Sequence, residues 1–407
     1  MKKRAIENVE NLKRHHDSLV ALDEEEKLTL NLIDRVKPLT FNKQRIADIV
    51  GVTPDHVQAH IDFLEKEEGQ FIIRDGGNRV SLSREQALQI VSRFGIKSIE
   101  QRRSENPDKF DLPVILVNIA KGGVGKTNTA LHLAAEAAND VRKNRRVLLC
   151  DADVQGSLRH YLSHSAGANS SLRSVRTLIK ESLQLTREER LTPEKQEEFR
   201  RHLLDNVVLQ SYIDNLSFIP SVITDSEIPI SIANELGKGR KDEAFSVYKD
   251  TVIEPLRDLF DIVFIDTGPS PDTFMTSTLY ASNFLVIPTT TRKQDYKAYV
   301  QYLNLLALII QHLVPDDWDG LHAIRTMITK HQNKPELAAT ADKIVAQGDC
   351  FVTRILENKK YEEASANNTV LQMFDTKSTK GYTDSLAALR SVYSELDSIL
   401  SIKEFSR

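Results

Sequence analysis

The 407-residue chain holds two cysteines, Cys150 and Cys350, and one tryptophan. Two thiols so far apart make neither a disulfide framework nor a spaced zinc site, and they fit a reducing, cytoplasmic setting. No apolar run approaches the roughly 20 residues that cross a bilayer; the longest are Val114–Ala120 and Leu305–Ile310. Residues 1–10 carry basic side chains without an apolar stretch, so no secretory signal is expected. Neither sign of charge dominates: 54 Lys and Arg stand against 58 Asp and Glu, and 40% of residues are apolar. That balance excludes a disordered chain and a globally basic nucleic-acid coat, so any DNA contact must use local patches. The eleven histidines show no ligand spacing, and no Ser–His–Asp or Cys–His arrangement stands out. His132 reads as packed or solvated rather than catalytic.

The length allows two or three domains. Leu30, Leu32, Ile33 and Val36 share a helical stripe that ends near Pro38. Ile46, Ala47, Ile49 and Val50 make the apolar face of a short helix, and Gly51 supplies the turn that ends it. Thr53 is expected to cap the next helix, with Pro54 at its first position and Val57, Ile61 and Leu64 inward. Gln70–Arg74 and Arg79–Leu82, around the turn at 75–78, read as a hairpin. Helix, glycine turn, helix and hairpin form a winged helix-turn-helix pattern. The charged stretch from Arg93 to Asp111 reads as a linker. The division expected is a helical arm over 1–38, the winged module over 39–105, and a third domain over 106–407.

From Leu112 onward, apolar strands alternate with helices, as in an α/β fold with a mostly parallel sheet covered on both faces. The expected strands are Val114–Ile119, Arg146–Cys150, Leu216–Ile219, Ile262–Ile265, Phe284–Ile287 and Ala323–Ile328. The charged helical stretch Arg173–Leu204 reads as an insertion over the core.

The sharpest signal follows the first of these strands: Lys121-Gly122-Gly123-Val124-Gly125-Lys126-Thr127, with Asn128 in the opening turn of a helix. Strand, glycine loop and helix is the context of a phosphate-binding loop. Its backbone N–H groups and the helix N-terminus favour anions. In this role Lys126 neutralises the β and γ phosphates, and the Thr127 hydroxyl coordinates Mg²⁺. Two further strands end in acids. One runs into Asp151-Ala152-Asp153-Val154-Gln155-Gly156, the other into Asp266-Thr267-Gly268-Pro269. Ligands bind at such carboxyl ends in open α/β sheets; that Asp151 and Asp153 merely cap the next helix is the lesser alternative. The Asp266 carboxylate suits a metal-bound water.

Lys121-Gly-Gly-Val-Gly-Lys-Thr resembles the deviant Walker A motif of the MinD/ParA ATPases, and Asp151–Gly156 resembles their D-x-D-P-Q-G segment with Val154 in place of proline. A winged module ahead of such a P-loop NTPase-type domain resembles the larger ParA-type partition ATPases of low-copy plasmids and secondary bacterial chromosomes. The resemblance implies ATP/ADP and Mg²⁺ as cofactors. It implies that Lys121 reaches a partner's nucleotide (a solvated loop lysine is the alternative), that Asp153 orients the attacking water, and that Asp151 supports the metal held by Thr127 and Asp266. Gly268 stands where the family often has proline, which leaves the local switch geometry open. Adenine contacts are expected near Thr329–Asn333. The implied cycle has an ATP-dependent homodimer, with higher-order forms open, bound to non-specific double-stranded DNA. A centromere-binding ParB-type protein stimulates hydrolysis, and the ADP or apo form binds operator DNA. The protein would be cytoplasmic and nucleoid-associated.

For operator readout the residues singled out are Gln58 and His60, with Lys43 and Arg45 nearer the backbone. For non-specific phosphate contacts they are Lys359, Lys360, Lys377 and Lys380. The arm either swaps against a second subunit or packs locally. A MinD-like membrane helix is disfavoured: the stripe Leu386, Leu389, Val392, Leu396 and Ile399 lies among offsetting acids, which suits core packing. An ATP-regulated repressor without turnover is the other alternative, against which the water-positioning Asp153 argues.

Overall fold

The computed structural model describes residues 39–75, 79–162, 173–330, 350–373 and 380–405. The arm over 1–38 and Lys377 lie outside them.

The N-terminal module is built on helices α1 (Lys43–Val50), α2 (Pro54–Lys66) and α3 (Arg84–Arg93), with strands β1 (Ile73–Asp75) and β2 (Arg79–Ser81) paired antiparallel between α2 and α3. Asn42 caps α1 by accepting the Arg45 N–H, and Gly51 closes it at φ +74°. Only glycine takes that left-handed conformation cheaply. Thr53 does stand at the start of α2, but its hydroxyl makes no cap; it sits 3.4 Å from His56 Nδ1. Phe41, Ile46, Val57, Ile61, Leu64, Val80, Leu82 and Ile90 form the module's own apolar core.

The stretch read as a linker is ordered. Ser98 and Gln101 form a capping box that starts helix α4 (Ile99–Glu105). The Ile99 side chain is buried, and its N–H donates to the Lys143 carbonyl at 2.9 Å. Arg103 donates to Asp261 at 2.7 Å and to the Phe260 carbonyl at 3.0 Å. Arg103, one of the charges that suggest a solvated tether, is thus committed to the following domain, while Lys97 pairs with Glu105 inside the stretch.

That domain holds strands β3 (Val114–Val117), β4 (Val147–Ala152), β5 (Leu209–Gln210), β6 (Leu216–Ile219), β7 (Ile262–Thr267), β8 (Phe284–Thr290), β9 (Ala323–Lys330) and β10 (Ile355–Leu356). They form one sheet in the order β10-β9-β8-β3-β7-β4-β6-β5. Every pairing is parallel except that of β5 with β6. All six expected strands are present, Leu216–Ile219 with the expected bounds and the others with shifted ends. The two-residue strands β5 and β10 are additional.

Side chains alternate along each strand, so an all-apolar strand needs cover on both faces. Val114 and Leu116 enter one core, Ile115 and Val117 the other. Helix α5 (Lys126–Ala138) and the C-terminal helix α6 (Lys380–Lys403) cover the second face; the apolar stripe of α6 is core, as expected. Residues of the expected insertion, among them Leu178, Ile179, Phe199 and Leu203, pack into the first. Arg145, fully buried, ties α6 down by donating to Asp397 at 2.6 Å and to Glu404 at 2.5 Å.

Candidate active site

Chain order reverses around β3: β7 and β8 flank it, and β4 lies beyond β7. The loop leaving β3 therefore opens into the crevice where ligands of open α/β sheets bind. Gly123 (φ +74°) and Gly125 (φ +84°) turn this loop, and a Cβ at either would meet no atom within 4 Å. Conformation, not crowding, calls for glycine there, and the space above the loop is open. Lys126 begins α5, is only 7% exposed, and donates from Nζ to the Lys121 carbonyl at 2.8 Å across the loop. Burial lowers its pKa, while Asp266 and Asp153 oppose the shift.

Asp151 and Asp266 are register partners on adjacent strands. Asp151 accepts from the N–H groups of Asp153 (3.1 Å) and Leu158 (3.2 Å), so it organises the turn that follows. Burial, reinforced by Asp266, holds its carboxyl well above the ordinary range. Asp266 is fully buried, and no well-formed hydrogen bond reaches either carboxylate oxygen among the described residues, the Thr127 hydroxyl and the Thr267 N–H being weak donors to it at most. Burial pushes its pKa up to about 7; Thr127 and Lys126 pull it down, and Asp153 adds to the rise. Two buried hard oxygens that no well-formed hydrogen bond reaches, beside a threonine hydroxyl, fit a magnesium site.

Asp153 is half-buried and accepts the Gln155 N–H at 3.1 Å. Gly268 lies against it: a Cβ there would come 3.2 Å from Asp153 Oδ1. Glycine in place of the family's proline leaves room for this carboxylate. Gly156 has φ +62°, and a Cβ would lie 2.6 Å from the Ser221 carbonyl oxygen, so only glycine fits. Lys121 is not a free loop lysine in this structure. Its Nζ is 3.6 Å from Oδ1 of the buried Asp295, which also accepts the Thr290 hydroxyl.

Beside the loop lies a cavity of about 380 Å³, walled by Gly123–Gly125, Asn128 and His132 on one side and Thr329, Asn358 and Tyr361 on the other. That volume falls in the range of small-molecule pockets. Arg292 and Glu357, 3.7 Å apart, stand at its lining from separate strand ends. Of the adenine stretch expected, Thr329 lines the cavity; 331–333 lie outside the described residues. No motif marks Arg292, Glu357 or Tyr361, because Arg292 lies far along the chain from the short stretch that holds the other two.

The expected DNA-facing residues are more dispersed. Lys43 is half-exposed, 3.9 Å from Asp55, and Gln58 donates to Asp62 at 2.7 Å. Arg45 is turned inward: its guanidinium lies 4.4 Å over the Phe41 ring, and burial lowers its pKa to about 10, with Arg390 and Glu136 of the following domain acting on it. His60 accepts from Arg93 Nε at 3.2 Å and stacks edge-on to Phe94. Both are thus engaged within the chain, and Asp55, His56 and Ala59 are the more open side chains of that part of α2. Lys359 is exposed, Lys360 is bound to Glu363 at 2.5 Å, and Lys380 starts α6.

A family model described as an AAA domain matches residues 112–316, half of the chain. Plasmid partition protein A of Escherichia coli is 25% identical over 285 residues, covering 68% of this chain and 66% of its own length. The chain therefore spans slightly less than two thirds of that relative. A solved structure described as Partition Protein aligns with a TM-score of 0.64 at 18% identity, over 97% of this chain and 98% of that one. A Cyanothece McdA variant in complex with ATP aligns with a TM-score of 0.53 at 21% identity, over 73% of this chain and 99% of that one. The family model covers half of the chain, which carries the glycine loop and the paired strand-end acids within the matched residues: the chain belongs to the AAA domain family, as a ParA-type member.

Proposed function

We propose that the chain is a Mg²⁺-dependent ATPase that segregates a plasmid or chromosome. Its ATP-bound homodimer holds non-specific double-stranded DNA, and a ParB-type centromere-binding protein stimulates hydrolysis. The ADP or apo form represses its own operon through the module over 39–105, with the arm over 1–38 contributing to dimerisation and the ATPase unit running over 106–407. The observation that carries the reading is the buried Asp266 carboxylate, which no well-formed hydrogen bond reaches among the described residues, beside a glycine loop that opens onto a nucleotide-sized cavity.

Phosphoryl transfer asks for positioning and charge neutralisation more than for covalent chemistry. Gly122–Asn128 bind the phosphates through backbone N–H groups and the α5 N-terminus. Lys126 lies against the β/γ charge, and Asp153 orients the attacking water. Thr127, Asp266 and Asp151 hold the magnesium, which supplies further neutralisation of the transferring phosphoryl group. Lys121 exchanges Asp295 for phosphate oxygens, in its own or the partner's site. Lys43 and Gln58 face operator DNA, while Lys359, Lys360, Lys377 and Lys380 meet phosphates without regard to sequence, at the nucleoid.

The test is ATP turnover of the full chain with and without non-specific DNA and the centromere-binding protein. Stimulation by both is expected. Nucleotide binding without any turnover would favour the pure repressor instead.

A further inference from the structure

The ladder between β3 and β7 ends where Val117 stands opposite Asp266. Beyond that pair β3 runs on toward the phosphate loop and β7 toward the turn at Gly268. Side chains join the two strands at this point. Asn118 is buried, and its Nδ2 donates to Thr267 Oγ1 at 2.5 Å. The Thr267 hydroxyl donates in turn to the Val117 carbonyl at 3.1 Å. Its one proton is thereby used, so Asn118 presents its amide nitrogen to the hydroxyl. The Asn118 backbone is fixed as well, since its N–H donates to the Val286 carbonyl of β8 at 3.1 Å.

On its other side Thr267 is in register with Ala152, the last residue of β4. The next residue of each strand belongs to the site. Asp153 follows Ala152, and Gly268 follows Thr267. Gly268 and Asp153 lie against each other, since a Cβ on Gly268 would come 3.2 Å from Asp153 Oδ1. A shift of Thr267 along or away from β3 therefore moves the surface on which the Asp153 carboxylate rests.

Stability does not account for an asparagine at this position. Asn118 Oδ1 is buried without a hydrogen-bond partner among the described residues. A buried oxygen left unsatisfied costs folding free energy, and an apolar side chain would avoid that cost. What the apolar side chain would give up is the bond to Thr267. A polar group kept at a cost to folding, one residue from a site on both neighbouring strands, points to a part in that site.

We infer that Asn118 is a positioning residue for hydrolysis: its bond to Thr267 sets where the Gly268 turn lies, and so holds Asp153 in place for the attacking water. Asn118 acts through Thr267 and needs no contact with phosphate or magnesium. The inference deepens the ATPase reading above and rests on it, including the part given there to Asp153.

The experiment is single-turnover phosphate release by the full chain with Mg-ATP, beside calorimetric ATP affinity and urea unfolding. Asn118→Ala should slow release about tenfold or more, with ATP affinity within about threefold of wild type and an unfolding midpoint close to it. Thr267→Val should do the same, whereas Thr267→Ser keeps the hydroxyl and should release phosphate near the wild-type rate. That pair decides the matter if Asn118→Ala folds poorly. In an Asp153→Ala background, Asn118→Ala should slow release by less than about twofold further, because residues that act as a unit are not additive. An asparagine with a purely structural part would slow both backgrounds alike. Wild-type release by Asn118→Ala or Thr267→Val, a slowing matched by an equal loss of ATP affinity or of the folded state, or an equal slowing in both backgrounds overturns the inference alone. Wild type that binds ATP without turning it over, or binds none, overturns the ATPase reading together with it.

Discussion

Replacing Asp266 by asparagine should make the nucleotide-free protein more stable while removing its function. The carboxylate is fully buried with no well-formed hydrogen bond among the described residues, and burial raises its pKa from 3.8 to about 7. A folded-state pKa above the unfolded value means that the folded state binds the extra proton. Stability is therefore lost as pH rises from the unfolded pKa through the folded one. About three pH units at 1.36 kcal/mol each is on the order of 4 kcal/mol above pH 7, and less than half of that at pH 5. Asparagine carries no charge, so Asp266→Asn escapes this cost, and it also relieves Asp151, whose own rise Asp266 reinforces. Urea unfolding without nucleotide or magnesium, at pH 5 and pH 8, should show the variant's advantage growing with pH. Mg-ATP should then stabilise wild type and leave the variant unchanged. A variant less stable than wild type at pH 8, or equal stabilisation of both by Mg-ATP, would refute the reasoning.

Asp153→Ala should bind ATP near wild-type affinity but lose turnover by about 100-fold or more, read in single-turnover phosphate release. Undiminished hydrolysis removes Asp153 from water positioning. Gly156→Ala should cost about 1–2 kcal/mol for the left-handed backbone alone, plus displacement of the Ser221 carbonyl, and so lower the melting temperature. Arg145→Ala leaves buried Asp397 and Glu404 without their shared guanidinium, and a loss of about 3–5 kcal/mol is expected in urea unfolding. A loss under about 1 kcal/mol would mean that neighbouring Arg142 and Lys143 suffice.

What local patterns encode was legible. Largely apolar runs mark β3, β4, β7 and β8, because strands buried on both faces cannot alternate with polar residues, while β6 and β9 carry polar residues such as Ser217 and Arg325. The phosphate loop lies in one unbroken stretch, and Asp151 and Asp266 stand at strand ends. Contacts between distant segments were not legible. Arg45 reads as a DNA-facing residue until the fold brings Glu136 and Arg390 to it. The Ser98–Gln101 capping box was present in the sequence, but the charges of α4 obscured it, since their partner Asp261 lies far along the chain. Strands of two residues, β5 and β10, are too short to carry any periodicity. The cavity wall draws Arg292, Glu357 and Tyr361 from separate elements, so no spacing marks it.

The central claim is that the loop from Lys121 to Thr127 holds a nucleoside triphosphate. Calorimetric titration of the full chain with ATP and magnesium, beside Lys126→Ala, tests it most directly. Saturable binding at one site per chain, lost in Lys126→Ala, is the expected result; no binding by wild type, or equal binding by the variant, would contradict it.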